Sequence, residues 1–583
     1  MKALISNFRA RSGLCVVFLL YLGLAVRAYW PALGTLDSEL IGYANRDAVV
    51  NAWGYWWTCS MLVEHLCWPA WTNLLNYPDG QVILTIDSWN CLLSIPLQVL
   101  LGFPTGYNVF LLFATALSGL GGFLLARELT GSEPAALVAG ALYGWAPFAL
   151  SNALIGNSEV LSVGWVPLFF LFLYRSLTRG SRRNGILAGA FLTCTTTANW
   201  YFGFMASLFA VPVILVGLRR NGESPREARI QSLKWMLLIF AASTFFMFMI
   251  YHDITDQALQ IQAHGANMAE SVNLGEFLKP RPIDRWHPKI YYLPPLALLL
   301  VGLGVLAAPR RAVLPLTLGL VALLLALGHR PQSVSWGPPW VQPPLSALSG
   351  LASGLTDLCS NIPLFRLIRS PWRWMVLVNL AAALIAAMGL ARMLRLLPRA
   401  AALMAGLCLA IALTEGSLES MKMHQGFETI PIPDDAWVRV LEEDPTPGAV
   451  IQVPYHRNFD NVPRQLLAQT QHRRPILQRL HLMTTHICES SDAHPNKIPT
   501  LVLLEKEHRK SSDLMQVDAD RMVRELQALD MRFLVLHRNQ VHPVYLEFFE
   551  SQIASRLELM VNDGSIAVFK VPDRPGQVTP EEG

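Results

Sequence analysis

The sequence predicts a polytopic α-helical membrane protein with a soluble, mixed α/β domain at its C-terminal end. Three observations lead there. Only 15% of the 583 residues are charged, against about 25% in an average soluble domain. Apolar residues make up 52% and gather into windows near the length of about 20 residues that crosses a bilayer. Charge returns after residue 415, where no such window occurs. This composition excludes a disordered chain, a collagen, a small disulfide scaffold and an ordinary cytosolic enzyme. A net charge of +4 gives no basic footprint, so no nucleic-acid partner is expected.

Eleven windows read as spans, at roughly 12–30, 106–126, 134–151, 160–175, 184–199, 202–218, 235–250, 291–308, 312–328, 372–391 and 400–414. The fifth and sixth meet near Asn199-Trp200-Tyr201, and one long bent element is the alternative there. Short-loop cations set the orientation. Arg9 and Arg11 precede the first span, and Arg175, Arg179, Arg182 and Arg183 follow the fourth. Arg219, Arg220, Arg226 and Arg229 follow the sixth, Arg310 and Arg311 the eighth, and Arg392, Arg395 and Arg399 the tenth. With eleven spans all fall on one face, which places the N-terminus in the cytoplasm and the C-terminal domain outside an inner (plasma) membrane. The first span reads as a retained signal anchor, since Gly23-Leu24-Ala25 is a weak cleavage site. No C-x-x-C occurs, so zinc ribbons and redox motifs are not expected. A Cys59–Cys91 bridge and free, packed cysteines are the two readings of the remainder.

The expected organisation is a membrane domain over residues 1–415, an extracytoplasmic α/β domain over 416–570 and a flexible tail over 571–583. Within the first, residues 31–105 form a long first outer loop with interfacial helices. Loops of this length usually have a task. Asp37, Glu39, Asp47, Glu64, Asp79 and Asp87 face a single Arg46, and the loop holds Trp53, Trp56, Trp57, Trp68, Trp71 and Trp89. Residues 47–66 read as a helix opened by Asp47, whose charge suits the positive end of the helix dipole. Trp53, Trp56, Trp57 and Met61 recur on one side, which predicts a helix lying along the membrane surface. A lipid-anchoring aromatic belt explains the same tryptophans. A second interfacial helix is expected over about 86–102, after the turn Tyr77-Pro78-Asp79-Gly80.

These residues resemble a known family. Asn45-Arg46-Asp47-Ala48 with Asn51-Ala52-Trp53 and Trp56-Trp57 is similar to the first-loop signature of GT-C superfamily membrane proteins. These are the polyprenyl-phosphate-sugar-dependent glycosyltransferases and the YfhO-type bacterial proteins. Tyr77-Pro78-Asp79-Gly80 resembles the family's Y-P-x-G turn, and Ala126-Arg127-Glu128-Leu129-Thr130-Gly131 its A-R-x-L-T-G loop. Gly156-Asn157-Ser158-Glu159 with Trp165-Val166-Pro167-Leu168 resembles G-H-x-E…W-x-P-L, with Asn157 in place of the His. Asn199-Trp200-Tyr201 and Phe365-Arg366-Leu367-Ile368-Arg369-Ser370-Pro371-Trp372-Arg373 follow in the same order. The resemblance covers most of residues 12–415.

It implies a GT-C-like fold and inverting transfer of a sugar from a polyprenyl-phosphate donor to a glycan, lipid or protein acceptor on the outer face. A carboxylate must take the acceptor proton, and cations must stabilise the departing phosphate. Asp47 is the expected base, with helix capping as its structural alternative. Glu159, in a short loop near membrane depth, is the second catalytic candidate, because an acid there usually has a partner or a task. Arg366, Arg369 and Arg373 break the positive-inside trend. Arg369 and Arg373 are expected to hold the lipid phosphate, with snorkelling to headgroups as the alternative. Asp87, Trp53, Trp57, Tyr77 and Asn157 complete the substrate-binding candidates. No H-E-x-x-H or outer-loop D-x-D occurs in the membrane part, so no metal or other cofactor is expected to be required.

In the C-terminal domain, residues 450–453, 533–536 and 565–569 read as strands, and 462–472, 517–530 and 542–557 as helices. Its many histidines show no metal spacing. The domain is expected to bind acceptor or a partner, or to brace the outer loops. A flippase for a lipid-linked saccharide and a silent envelope-assembly scaffold are the competing functions. No repeat relates the two halves, as transporters often show.

Overall fold

A computed structural model describes residues 2–43, 47–83, 87–220, 222–263, 271–278, 291–330, 332, 342–362, 365, 368, 370–423, 429–453, 461–477, 518–541 and 543–573. They form two compact units, residues 1–43 with 85–429 and residues 44–84 with 430–583. The sequence reading kept all of residues 31–105 with the membrane domain. In the folded chain the middle of that loop groups with the C-terminal residues instead.

The first unit is helical. Each of the eleven apolar windows holds a helix, but fewer are complete spans. Among the described residues seven helices are long and apolar enough to cross a membrane, or eight if one bent pair counts as a span. The chain is thus a multi-pass membrane protein. Some of the other windows hold shorter or broken helices for local reasons. The pair Glu133–Gly144 and Pro147–Ala153 bends by 48°, where Pro147 forces the preceding residue out of the helical region. The helix Pro295–Ala307 has only 13 residues. The helix Arg182–Ala198 is rich in threonine, and Thr193, Thr195, Thr196 and Thr197 each donate to the carbonyl four residues back. That pattern satisfies the hydroxyls locally and lowers the apolar character of the helix.

At Asn199 the chain is extended, and Asn199 Oδ1 accepts from the Tyr201 amide at 3.0 Å. Two helices with an N-cap between them therefore stand where one bent element was the alternative. Helices pack closely through glycines. A Cβ on Gly144 would meet the Gly119 amide nitrogen at 2.7 Å, and one on Gly389 would meet that of Gly304 at 2.6 Å. The A-R-x-L-T-G loop is structural in this chain. Gly131 closes the helix Thr105–Thr130 with φ +67°, and the Ser132 hydroxyl caps the next helix. Glu128 accepts from Arg175 Nε at 2.9 Å and also pairs with Arg179.

The second unit holds a four-stranded sheet. Strands β1 (Ala449–Val453), β2 (Met531–His537), β3 (Glu558–Asn562) and β4 (Ile566–Lys570) run in the order β1-β2-β4-β3. The β1–β2 pair is parallel and the others antiparallel. Three strands match the predicted segments, and β3 is additional. The core gathers Ile451, Val453, Met522, Leu526, Leu534, Leu536, Phe549 and Phe569. The helices Asn461–His472 and Ala519–Ala528 fall where expected. Residues 543–556 break into α, π and 3-10 turns.

The loop helix Asp47–Val63 belongs to this unit. It ends at Val63, and past it Leu66 takes φ +53° while Cys67 N–H reaches back to the Met61 carbonyl at 2.9 Å, which satisfies one carbonyl of the last helical turn. Its tryptophans are not an interfacial belt. Trp53, Trp56 and Trp57 are buried, with Trp53 and Trp57 stacked at 5.7 Å. Trp53 Nε1 donates to Gln469 Oε1 at 2.9 Å, and Trp57 Nε1 to the Pro69 carbonyl at 3.3 Å. An indole buried in protein finds a partner for its N–H, and both of these have done so. Cys59 and Cys91 are each free, so the bridge is not formed.

Candidate active site

In the membrane unit, four separate sequence motifs meet at one buried spot. Asp87 stands at the start of the helix Ser88–Leu101. Its side chain does not cap that helix but turns inward. One carboxylate oxygen accepts from Asn90 Nδ2, and the other from Ser158 Oγ at 2.8 Å. Asn90 Oδ1 in turn accepts from Trp165 Nε1 at 3.1 Å. Ser158 also interacts with the buried Tyr107 hydroxyl. A carboxylate that receives several donors stays ordered and tolerates burial.

Ser158 and Glu159 open the short helix Ser158–Leu161, which is buried throughout. Glu159 is 4% exposed. Its Oε1 lies 3.7 Å from Arg373 Nη2, too far for a hydrogen bond but close enough for an ion pair. Arg373 lies on the 3-10 turn Pro371–Trp374, ahead of the helix Met375–Leu396. The guanidinium carbon sits 4.2 Å from the centre of the Tyr201 ring and 4.9 Å from that of Trp372. Aromatic faces stabilise a partly desolvated cation. The Arg373 side chain is 13% exposed, and its Nε has no hydrogen-bond partner among the described residues. Asn199 Nδ2, two residues before Tyr201, is buried and also lacks one there. Buried donors are normally satisfied. Arg373 Nε and Asn199 Nδ2 depart from that norm.

The nine expected site residues divide between the units. Asp87, Glu159 and Arg373 converge in the first. Asn157 lies beside them but turns away, donating from Nδ2 to Asn152 Oδ1 at 3.1 Å. Arg369 lies outside the described residues. Asp47, Trp53, Trp57 and Tyr77 belong to the second unit. Asp47 begins the loop helix as expected and is exposed, while Ala48 and Val49 turn inward. Trp53 and Trp57 are core residues, and Tyr77 packs on the C-terminal core with its amide donating to the Ile476 carbonyl at 3.2 Å. Burial pushes the Tyr77 hydroxyl pKa up, and the nearby Asp530 carboxylate adds to this.

Asn90, Ser158, Asn199 and Tyr201 were not among the expected site residues. Their signal was available as polar side chains inside or beside apolar windows, which need partners. Among the described residues no group of three or more His, Cys, Asp or Glu is placed to hold a metal ion.

No family model and no curated protein matches the chain. Solved structures do. The arabinofuranosyltransferase AftD from Mycobacteria matches 97% of the chain at 17% identity with a TM-score of 0.54, and the match covers 40% of AftD. The Archaeoglobus fulgidus oligosaccharyltransferase matches 93% of the chain and 71% of its own length at 11% identity and a TM-score of 0.49. ArnT from Cupriavidus metallidurans, solved with undecaprenyl phosphate, matches 96% of the chain and 99% of its own length at 14% identity and 0.46. The AftD match shows a shared fold. The chain spans about two fifths of AftD's length.

Proposed function

We propose that this protein is a membrane glycosyltransferase that moves a sugar from a polyprenyl-phosphate donor to an extracytoplasmic acceptor, with inversion at the anomeric carbon. Arg373 carries the proposal. It is a buried cation with an open Nε, an aromatic cradle and a carboxylate near but not bonded to it. That arrangement suits an anion held at its reacting end. A GT-C fold supports the same reading.

The acceptor oxygen attacks the anomeric carbon from the face opposite the phosphate. The carbon–oxygen bond to phosphate breaks, and the electron pair leaves with polyprenyl phosphate. Arg373 stabilises the charge that develops there. Asp47 takes the acceptor proton. Glu159 restrains the guanidinium and is the alternative proton acceptor. Asp87, held by Asn90 and Ser158, keeps the Ser158–Glu159 turn in place. Membrane lipid surrounds the carrier chain.

The test is transfer by the full chain in nanodiscs, offered a panel of radiolabelled polyprenyl-phosphate sugars with membrane extract as acceptor. Asp47→Asn is expected to abolish transfer while folding and donor binding persist. Unaltered transfer by that variant removes Asp47 as base and moves the role to Glu159. Tight binding of the lipid phosphate with no transfer from any donor overturns the enzyme reading and favours a flippase or scaffold.

A further inference from the structure

We infer that Gln469 is a positioning residue for the first-loop helix, and that the C-terminal residues act on the reaction through it. The inference rests on the proposed role of Asp47. Gln469 lies on the helix Asn461–His472 and is 0% exposed. Its Oε1 accepts from Trp53 Nε1 at 2.9 Å. Its Nε2 donates to the Leu74 carbonyl at 2.6 Å and to the Arg474 carbonyl at 3.0 Å. Both amide hydrogens and one carbonyl lone pair are thus used.

The three partners come from three segments. Trp53 is in the middle of the loop helix, Leu74 is in the chain that returns from it, and Arg474 follows the helix that carries Gln469. Backbone bonds reinforce the same joint. Ile476 N–H donates to the Leu74 carbonyl at 2.8 Å, and Tyr77 N–H to the Ile476 carbonyl at 3.2 Å. On the surface, Arg473 pairs with Glu64 at 2.7 Å, just past the helix end.

Trp53 is six residues from Asp47 on the same helix, so fixing the Trp53 indole fixes the helix rotation and hence the direction of Asp47. An aromatic stack alone does not set that angle, because stacked rings slide at little cost. A hydrogen bond from the indole N–H to a buried amide that is itself held twice does set it. Small displacements of a catalytic group are expensive in rate. Gln469 touches no reacting atom; it acts through Trp53.

Hydrogen exchange and transfer kinetics on the full chain in nanodiscs test this together. Gln469→Leu is expected to raise amide exchange in residues 47–63 at least tenfold while strand β2 stays protected. It is expected to lower kcat about tenfold with donor KM unchanged within twofold. Trp53→Phe removes the same bond from the other side and should give the same split, with the double variant no worse than Gln469→Leu. It also reads the contact if Gln469→Leu does not fold. Unchanged exchange in both variants overturns the joint. Raised exchange with full kcat overturns the positioning role. Absence of transfer by the wild type overturns the proposed function and the positioning role with it, whereas exchange still reports whether the joint exists.

Discussion

Arg373 and Gln469 are both buried nitrogen-bearing side chains, one in each unit, and they differ in how their hydrogen bonds are used. Gln469 spends both amide hydrogens and its carbonyl on protein partners. Arg373 has an open Nε and an ion-pair partner at 3.7 Å. Complete satisfaction is what a structural polar group needs. Incomplete satisfaction in a buried place costs stability and persists where something else completes it. On the proposed function, the contrast separates a residue that holds the fold from one that meets the donor.

The largest expected effect sharpens that contrast. Arg373→Gln should lower kcat/KM for a polyprenyl-phosphate sugar about 100-fold, or ~2.7 kcal/mol, chiefly through donor KM. Its thermal midpoint should stay near the wild type's, because removing the unsatisfied Nε offsets the loss of the Glu159 ion pair. A drop in midpoint with normal kinetics breaks the contrast.

The second prediction concerns acid. Burial holds His472 down at about 3, with the Arg474 charge adding to this, and His537 at about 4, chiefly through burial. The usual value is 6.5. Both folded values are depressed, so the unfolded chain binds more protons below about pH 6.5. Stability is full above that pH and is lost as pH falls through the window from 6.5 toward 4 and then 3. At pH 5 each histidine is expected to have lost roughly 2 kcal/mol. Denaturant unfolding of the full chain, read by tryptophan fluorescence at pH 7 and pH 5, measures this. His537→Gln should flatten the slope, and an unchanged slope in that variant refutes the assignment.

Glu159→Gln is third. It removes the negative charge beside Arg373, so donor KM should hold or fall while kcat drops about tenfold, or ~1.4 kcal/mol. A rise in KM equal to that of Arg373→Gln makes the two residues one binding group. Glu64→Gln is the smallest. Arg473 holds the Glu64 carboxyl below its usual pKa against the opposing effect of burial. The pair is largely solvated, and surface pairs contribute about 0–1 kcal/mol. Urea melts should move by less than that.

Much of the fold was legible. Val450–Val453 and Phe533–Leu536 carry the β-branched and apolar runs of buried strands, and the apolar windows found their helices. The loop tryptophans were misread for a physical reason. An indole stripe with a polar tip suits a membrane surface and a wet protein core equally well, and what decides is the partner. Gln469 lies 416 residues from Trp53, beyond the reach of local periodicity. The site was legible as residues but not as a place. Arg373 stood out by breaking the charge pattern and Glu159 by its depth. Ser158 and Asn90, which hold Asp87, signal only that a polar group beside an apolar window needs a partner, and folding is what names the partner.

The Trp53–Gln469 bond also has a history in time. A ribosome adding about 5–20 residues per second takes roughly 20–80 s to pass from one partner to the other. For that interval the Trp53 N–H is without the Gln469 partner it has in the folded chain. The apolar boundary of the membrane is the nearest medium that accepts an indole ring and its N–H together. The arrival of Gln469 is thus the event that completes the buried joint around Trp53.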